Sequence, residues 1–282
     1  MTGEAAAETG WAKINLALHV RRRRADGYHD IETIFAFADF GDRLSVRAAD
    51  DVTLTIRGPF GDGLPADESN LVMRAARALA GAHGVRAGAA LTLDKRLPVA
   101  SGIGGGSADA AAALRLLNCF WGIDTDEAAL CGIAASLGAD VPACVGSRTQ
   151  RGDGVGEQLR TLADDDVRDK AVLLVNPGVP LATGRVFAAW DGIDRGALAS
   201  GPSLAAAHEG RNDLEAPAIS LCPVIGTVIA ALAARPGATL ARMSGSGATC
   251  FALFDTDTDA EAARAAIAAA YPDWWTAAGR LR

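Results

Sequence analysis

The chain has 282 residues, of which 50% are hydrophobic, so it can bury a large core and divide into two domains of ordinary size. Its formal net charge of −7 argues against a nucleic-acid partner, because affinity for phosphate backbones comes mainly from clustered Lys and Arg. No stretch approaches the roughly 20 apolar residues of a membrane span. The 5 cysteines form no close pairs of the metal or redox type, and the first residues do not predict a secretory leader. We therefore expect a cytoplasmic protein with reduced thiols and no membrane partner.

The first 60 residues are predicted to form a strand-rich sheet. Residues 1–10 are small and polar and predict a frayed tail. Polar and apolar residues alternate over 12–20, which predicts a strand that carries Lys13 and Asn15 on one face. Asp26-Gly27 indicates a turn. Further strands are predicted over residues 31–40, 43–48 and 52–57.

A glycine-rich loop interrupts a helical region in the middle of the chain. Helices are predicted over residues 70–81, 110–118 and 127–137, with a short strand over 91–93 before the loop. Gly138 and Pro142 are expected to end the last of these helices.

A charged stretch over residues 160–170 precedes a new apolar strand, so we predict domains at 1–162 and 163–282. The second domain carries a glycine-rich turn over 244–247, a strand over 249–254 and a final helix from about Asp259. This order indicates an α+β domain.

The loop Gly102-Ile-Gly-Gly-Gly-Ser107 is the strongest chemical signal, because its glycines let backbone N–H groups approach an anion without interference from Cβ. The helix that follows adds the positive end of its dipole. Ser107 is a candidate N-cap or a ligand to phosphate or Mg²⁺. The loop is not a Walker P-loop, because no Gly-Lys-Ser/Thr follows it. Its glycine spacing also differs from that of dinucleotide-binding folds. The alternative is a glycine-rich turn that binds nothing.

Residues 98–109 resemble the phosphate loop of the GHMP kinases, with Ile103 and Ala108 in place of the usual Leu and second Ser. Position 11 is Trp where the family usually has Pro. The other matching blocks follow in the family's order: Ala12-Lys-Ile-Asn-Leu16 with Asp26-Gly-Tyr-His29, Leu137-Gly-Ala-Asp-Val-Pro142, Asn212-Asp-Leu-Glu215 and Arg242-Met-Ser-Gly-Ser-Gly-Ala-Thr249.

The resemblance implies an α+β, two-domain GHMP kinase fold. Its N-terminal domain has a mixed sheet with helices and a left-handed βαβ crossover, and its C-terminal domain is a ferredoxin-like α/β sandwich. ATP is the implied phosphoryl donor, with Mg²⁺ neutralising its charge, although the sequence identifies no metal ligands. The residues implied for ATP are Lys95, Pro98, Val99, Ala100, Ser101, Gly102, Ile103, Gly104, Gly105, Gly106, Ser107 and Ala108.

Two residues match the family's catalytic pair. Asp140 matches the residue that accepts the proton of the acceptor hydroxyl or orients that hydroxyl, and Lys13 matches the lysine that stabilises the developing charge. Taken alone, Lys13 is also interpretable as an exposed strand lysine and Asp140 as a turn residue.

The first block resembles the branch of the family that phosphorylates the C2 hydroxyl of a cytidyl diphosphate ester of methylerythritol, in non-mevalonate isoprenoid synthesis. Tyr28 matches an aromatic residue that stacks on the cytosine, and His29 matches a residue that hydrogen-bonds its edge. Phe187 is a candidate second stacking surface or else a helix core residue, and Thr183 and Asn15 are candidate polar contacts.

Two alternatives stay open at this point. One is another GHMP kinase, acting on homoserine, mevalonate or a sugar, and the other is a non-catalytic nucleotide-binding protein. We expect a monomer or a weak homodimer.

Overall fold

The computed structural model describes residues 6–162 and 166–282. The chain divides into two compact units, each assembled from separate stretches. The first unit contains residues 6–12, Phe40–Val99 and Gly104–Ser147, and the second contains Lys13–Asp39, Ala100–Ile103 and Arg148–Arg282. The predicted domain boundary between residues 162 and 163 falls where the described residues are interrupted, so it stays a prediction.

Two long strands, β1 (Ala6–Arg23) and β2 (His29–Arg47), pair with each other and supply residues to both units. The predicted tail is wrong for residues 6–10, which belong to β1, while residues 1–5 lie outside the described chain. A Cβ on Gly10 would lie 2.9 Å from Asp109 Oδ1, so this part of β1 is packed closely. The two strands predicted over 31–40 and 43–48 form the single strand β2.

The first unit contains a parallel strand-helix-strand segment. Val52 of β3 pairs with Ala89 of β4, and β4 pairs antiparallel with the last residues of β2. The alanine-rich helix α2 is buried along most of its length and packs against α1 and α4. The handedness of the β3–α1–β4 connection stays a prediction. The elements are β3 (Val52–Arg57), α1 (Leu71–His83), β4 (Ala89–Asp94), α2 (Gly105–Phe120), α3 (Glu127–Ala135) and α4 (Val141–Gly146).

The second unit contains a four-stranded antiparallel sheet in the order β10-β7-β9-β8. In chain order, α8 leads into β8 and α9 leads from β9 into β10, so the unit has the β-α-β-β-α-β order of the predicted ferredoxin-like fold. The strands of this sheet are β7 (Ala171–Asn176), β8 (Ala238–Met243), β9 (Cys250–Phe254) and β10 (Trp275–Arg280). Two further strands, β5 (Gln150–Asp153) and β6 (Gln158–Thr161), pair antiparallel with each other, and β5 also pairs with β2. The helices are α5 (Thr183–Ala188), α6 (Ser203–Glu209), α7 (Glu215–Leu221), α8 (Val224–Ala233) and α9 (Asp257–Ala270).

The sheet of the second unit buries one face against its helices. Leu173, Val175 and Phe254 from the sheet are fully buried in one cluster with Leu232 of α8 and Ile267 of α9. The sequence does not predict β8 and β10, because β8 is half-exposed and charged and β10 contains Ala-Ala-Gly. Within residues 6–162 and 166–282, no helix combines the length and the hydropathy that crossing a bilayer requires.

Candidate active site

The carbonyl groups at the start of the glycine-rich loop, from Ser101 to Ile103, all accept hydrogen bonds. The carbonyl oxygen of Ser101 accepts from Thr249 N–H at 3.0 Å, and that of Ile103 accepts from Lys13 N–H at 3.0 Å. Between them, the Gly102 carbonyl accepts from the Ser244 hydroxyl at 3.0 Å. Three successive carbonyl groups of the loop are therefore fixed by hydrogen bonds within the second unit.

The N–H groups of the same loop have no such partners. In the part of the chain that the structure describes, no backbone N–H from Gly102 to Ser107 donates a hydrogen bond. Gly104 is the N-cap of α2 in the left-handed conformation, at φ 64°, so the alternative that Ser107 is the N-cap is wrong. The Ser107 side chain also makes no hydrogen bond among the described residues. The first turn of α2 therefore presents donors to an anion.

The glycine turn over 244–247 requires a glycine opposite it. A Cβ on Gly102 would lie 2.6 Å from the Ser244 carbonyl oxygen and 2.7 Å from that of Gly247. Gly102 also has φ 78°, which disfavours a side chain. The loop and the glycine turn are thus in backbone contact, which only glycine at position 102 allows.

Lys13 and Asn15 lie in a hydrogen-bonded chain on β1. Lys13 Nζ donates to Asn15 Oδ1 at 3.0 Å, and Asn15 Nδ2 donates to the Thr33 hydroxyl at 2.8 Å. Lys13 is 3% exposed, so its interpretation as an exposed strand lysine is wrong. Its ammonium group lies 5.1 Å from the centre of the Phe35 ring, where the ring's electrons favour a cation.

Asp140 occupies the N-cap position of α4, and its side chain does not accept the usual capping hydrogen bond. Pro142 opens α4, where a missing N–H is tolerated, so it starts a helix as well as ending the preceding segment. Asp140 and Lys13 belong to different units, and their approach to each other stays a prediction.

Lys95, implied as an ATP contact, forms a buried triad with the carboxyl groups of Asp42 and Asp109. Its Nζ donates to Asp42 Oδ2 at 2.5 Å and to Asp109 Oδ2 at 2.6 Å. Burial and the neighbouring Asp42 raise the pKa of Asp109 to about 8, against the opposing effect of Lys95. Burial lowers the pKa of Lys95, but the effect of Asp109 and Asp42 is larger, so the pKa of Lys95 is raised overall. The triad holds the start of α2, and a direct contact of Lys95 with ATP stays a prediction.

Of the residues predicted to contact the substrate, Tyr28, His29 and Phe187 form one group, which we call the His29 cluster, while Thr183 contacts the glycine turn and Asn15 contacts Lys13. The His29 ring is 5.0 Å from the Phe187 ring, and Tyr28 beside it is 62% exposed, which is unlike a core residue. Burial and the nearby Arg23 lower the pKa of His29, so the ring is neutral at pH 7. Phe187 is half-buried against the core of the second unit, so it combines packing with the ring contact. Thr183 Oγ1 lies 2.9 Å from Ser246 Oγ in the glycine turn.

Several residues of these clusters are missing from the sequence-based prediction. Trp190 contacts His29 edge to face at 5.7 Å, and its Nε1 is buried without a hydrogen-bond partner among the described residues. Trp190 lies just beyond α5, in a turn closed by its N–H to the Phe187 carbonyl at 3.2 Å, and the signal that could have found it is an aromatic residue three positions after Phe187. Asp42 and Asp109 give no comparable signal, since only the fold brings them to Lys95.

Two family descriptions match the chain. The family described as "GHMP kinases N terminal domain" matches residues 70–148, and "GHMP kinases C terminal" matches residues 195–273.

Curated relatives match over nearly the whole length. The chain is 60% identical to the 4-diphosphocytidyl-2-C-methyl-D-erythritol kinase of Rhizorhabdus wittichii, covering 98% of this chain and 94% of that protein. It is 54% identical to the enzyme of the same name from Sphingopyxis alaskensis, covering 98% of each chain.

Solved structures give the same picture. A crystal structure of 4-(cytidine 5'-diphospho)-2C-methyl-D-erythritol kinase superposes with a TM-score of 0.78 at 34% identity, covering 98% of this chain and 99% of the other. Homoserine kinase from Cytophaga hutchinsonii superposes with a TM-score of 0.73 at 17% identity, covering 100% of this chain and 96% of that one, which is a likeness of fold alone.

Proposed function

Because the chain belongs to the 4-diphosphocytidyl-2-C-methyl-D-erythritol kinases of the GHMP kinase family, we propose that it uses ATP to phosphorylate the compound after which these enzymes are named. The γ-phosphoryl group of ATP is transferred to the C2 hydroxyl of 4-diphosphocytidyl-2-C-methyl-D-erythritol. The observation that carries phosphoryl transfer is the loop from Gly102 to Ser107, whose N–H groups have no partners among the described residues. A phosphate chain supplies the acceptors that these donors lack.

The loop and the start of α2 bind the phosphates of ATP in this proposal. The Ser107 hydroxyl is an additional donor or ligand at the same helix end. A bound Mg²⁺ would supply neutralisation of the charge on the phosphates. Among the described residues no group of three or more acidic, His or Cys side chains converges on a point that could hold a metal. Mg²⁺ commonly keeps several waters and binds through substrate phosphates with one or two carboxylates.

The chemical step is an in-line displacement. The C2 oxygen forms a bond to the γ-phosphorus while the bond from that phosphorus to the β,γ-bridging oxygen breaks, and ADP leaves with the electron pair. Asp140 orients the hydroxyl and takes up its proton, and Lys13 stabilises the negative charge on the transferring group. Asn15 fixes Lys13 through the 3.0 Å hydrogen bond to its ammonium group.

The cytidyl part of the substrate is assigned to the His29 cluster. A neutral imidazole offers one donor and one acceptor to the edge of a cytosine. Tyr28 and Phe187 supply aromatic faces, and stacking is worth about 1–3 kcal/mol per base. The 62% exposure of Tyr28 leaves most of its ring available.

The first test is Asp140→Asn. It removes the proton acceptor and keeps the shape of the side chain, so kcat should fall by about 10²–10⁴-fold while ATP affinity is unchanged. ADP release and calorimetric ATP binding measure the two quantities. Asp126→Asn is the matched control, because Asp126 is also an N-cap aspartate and it caps α3 through a 2.8 Å hydrogen bond. That variant should keep full activity.

The acceptor is tested on the wild type. The proposal predicts ADP release with the cytidyl compound and none above background with homoserine, mevalonate or galactose. Turnover of one of those acceptors without turnover of the cytidyl compound would show another GHMP kinase. ATP binding without turnover of any acceptor would show a nucleotide-binding protein.

A further inference from the structure

The segment Asn212-Asp-Leu-Glu215 matches the family in sequence, but no step of the proposed reaction uses it. Asn212 is 7% exposed, so its polar side chain must be satisfied inside the protein. Its Nδ2 donates to the carbonyl oxygens of Met243 and Gly245, each at 2.8 Å. These two carbonyl groups flank Ser244, so one carboxamide holds the glycine turn on both sides of that serine.

Ser244 connects the two functional stretches of the second unit. Its hydroxyl accepts from the backbone N–H of Asn15 at 3.2 Å and donates to the carbonyl oxygen of Gly102 at 3.0 Å. One side of this contact is the strand that carries Lys13, and the other side is the phosphate loop. The Ser244 hydroxyl therefore joins Gly102 to β1, next to the direct hydrogen bond from Lys13 N–H to the Ile103 carbonyl.

The backbone around Asn212 is fixed to β1 as well. Leu18 N–H donates to the Arg211 carbonyl at 2.8 Å, and Asp213 N–H donates to the Leu18 carbonyl at 2.9 Å. The Asp213 carboxylate accepts from Val20 N–H at 2.8 Å. The backbone on both sides of Asn212 is therefore hydrogen-bonded to β1, while its side chain is hydrogen-bonded to the glycine turn over 244–247.

From these contacts we infer that Asn212 is a positioning residue for ATP, which acts through Ser244 on the phosphate loop. This inference rests on the proposed phosphoryl transfer and adds a residue that does not contact the reacting atoms. The carboxamide suits the role because its single nitrogen carries two hydrogens, one for each carbonyl group. A carboxylate at position 212 has no hydrogens and would oppose two carbonyl oxygens.

The test is Asn212→Asp, with ATP affinity measured by calorimetry and KM and kcat measured by ADP release. We expect ATP affinity to fall about tenfold or more and KM for ATP to rise with it. KM for the cytidyl acceptor should change by less than about twofold, and kcat should fall less than ATP affinity. An unchanged ATP affinity in the folded variant overturns the inference.

Two further variants separate positioning from folding. Asn118→Asp is the matched control, because Asn118 is buried and clamps the backbone of Thr125 through its Nδ2 and Oδ1 at 3.0 and 3.1 Å. It should lower the unfolding temperature and leave ATP affinity unchanged. Ser244→Ala removes only one hydroxyl and serves if Asn212→Asp does not fold. It should weaken ATP binding in the same way, and wild-type affinity in this variant would overturn the inference.

Binding and turnover fail independently in this design. If the wild type turns over no acceptor but Asn212→Asp weakens ATP binding, the inference stands and the proposed function is wrong. If the wild type is active and Asn212→Asp binds ATP normally, the proposed function stands and the inference is wrong.

Discussion

The two ends of the phosphate loop are held by different kinds of interaction. Residues 101–103 are fixed by neutral hydrogen bonds from Thr249, Ser244 and Lys13 N–H. The helix that follows is fixed by the hydrogen bonds that the buried Lys95 ammonium group donates to the carboxyl groups of Asp42 and Asp109. We call the first set the neutral clamp and the second set the ion triad.

One loop is therefore held by two kinds of interaction, and each is sensitive to a different change. The neutral clamp depends on close backbone contact, so it is sensitive to volume at Gly102. The ion triad depends on the balance of charges in a buried environment, so it is sensitive to the loss of any one partner. It also depends on pH, because Asp109 changes its protonation near neutrality.

The largest effect is expected for Lys95→Met. Removing the cation leaves buried carboxyl groups without a counter-charge, and losing one partner of a buried pair typically lowers the free energy of unfolding by about 3–5 kcal/mol. Urea unfolding measures this change. The control is Arg77→Met, which breaks the exposed pair between Arg77 and Glu68 and should lower that free energy by less than about 1 kcal/mol. Equal losses in the two variants would show that the ion triad is not the stronger attachment.

The next effect is expected for Gly102→Ala, which tests the neutral clamp. The positive φ costs about 1–2 kcal/mol and the clash with the Ser244 and Gly247 carbonyls adds about 1–3 kcal/mol. Gly84→Ala isolates the first of these, because Gly84 has φ 65° and a Cβ added there would meet nothing within 4 Å. Urea unfolding of both variants gives the difference. A loss at Gly102 no larger than that at Gly84 would contradict the close contact.

The neutral clamp is partly predictable from sequence and the ion triad is not. Four glycines between Gly102 and Gly106 indicate a loop that approaches an anion, and the family match adds the turn at Ser244. Lys95 gives no such signal, because Asp42 is 53 residues away and Asp109 is 14 residues away along the chain. The alternation of polar and apolar residues predicts the strand that carries Lys13. It does not predict that Lys13 is buried, because this depends on which other elements pack against that face of the strand.

The pH dependence of the ion triad gives a third prediction. The pKa of the Asp109 carboxyl is near its ordinary value of 3.8 in the unfolded chain and about 8 in the folded protein. Between these values the folded state binds more protons, so the contribution of Asp109 lowers stability as pH rises. Asp109→Asn cannot ionise and should remove this fall. Urea unfolding at pH 5 and pH 8 tests it, and an unchanged pH slope in the variant would contradict the buried neutral carboxyl.

The smallest effect is expected from His19, which lies on β1 beside the segment that supports the neutral clamp. His19 Nδ1 lies 3.1 Å from the Gly196 carbonyl oxygen, and its Nε2 accepts from Arg211 N–H at 3.2 Å. The second contact requires Nε2 to be unprotonated, so the imidazole is neutral in the folded protein. Burial and the charge of Arg211 lower the pKa of His19 accordingly.

The sign for His19 is opposite to that for Asp109. As pH falls below 6.5 the unfolded imidazole takes up a proton and the folded one resists, so stability falls toward acid until the lowered pKa is reached. His19→Gln should reduce the loss of unfolding free energy below pH 6.5. It should leave unchanged the loss that Asp109 causes as pH rises toward 8. Because Arg211 N–H is released when His19 is protonated, ATP affinity should also weaken toward acid if the Arg211–Glu215 segment supports the clamp. Calorimetry between pH 5.5 and 7.5 tests this, and a wild-type ATP affinity that does not change with pH while His19 titrates would show that the segment is not coupled to the loop.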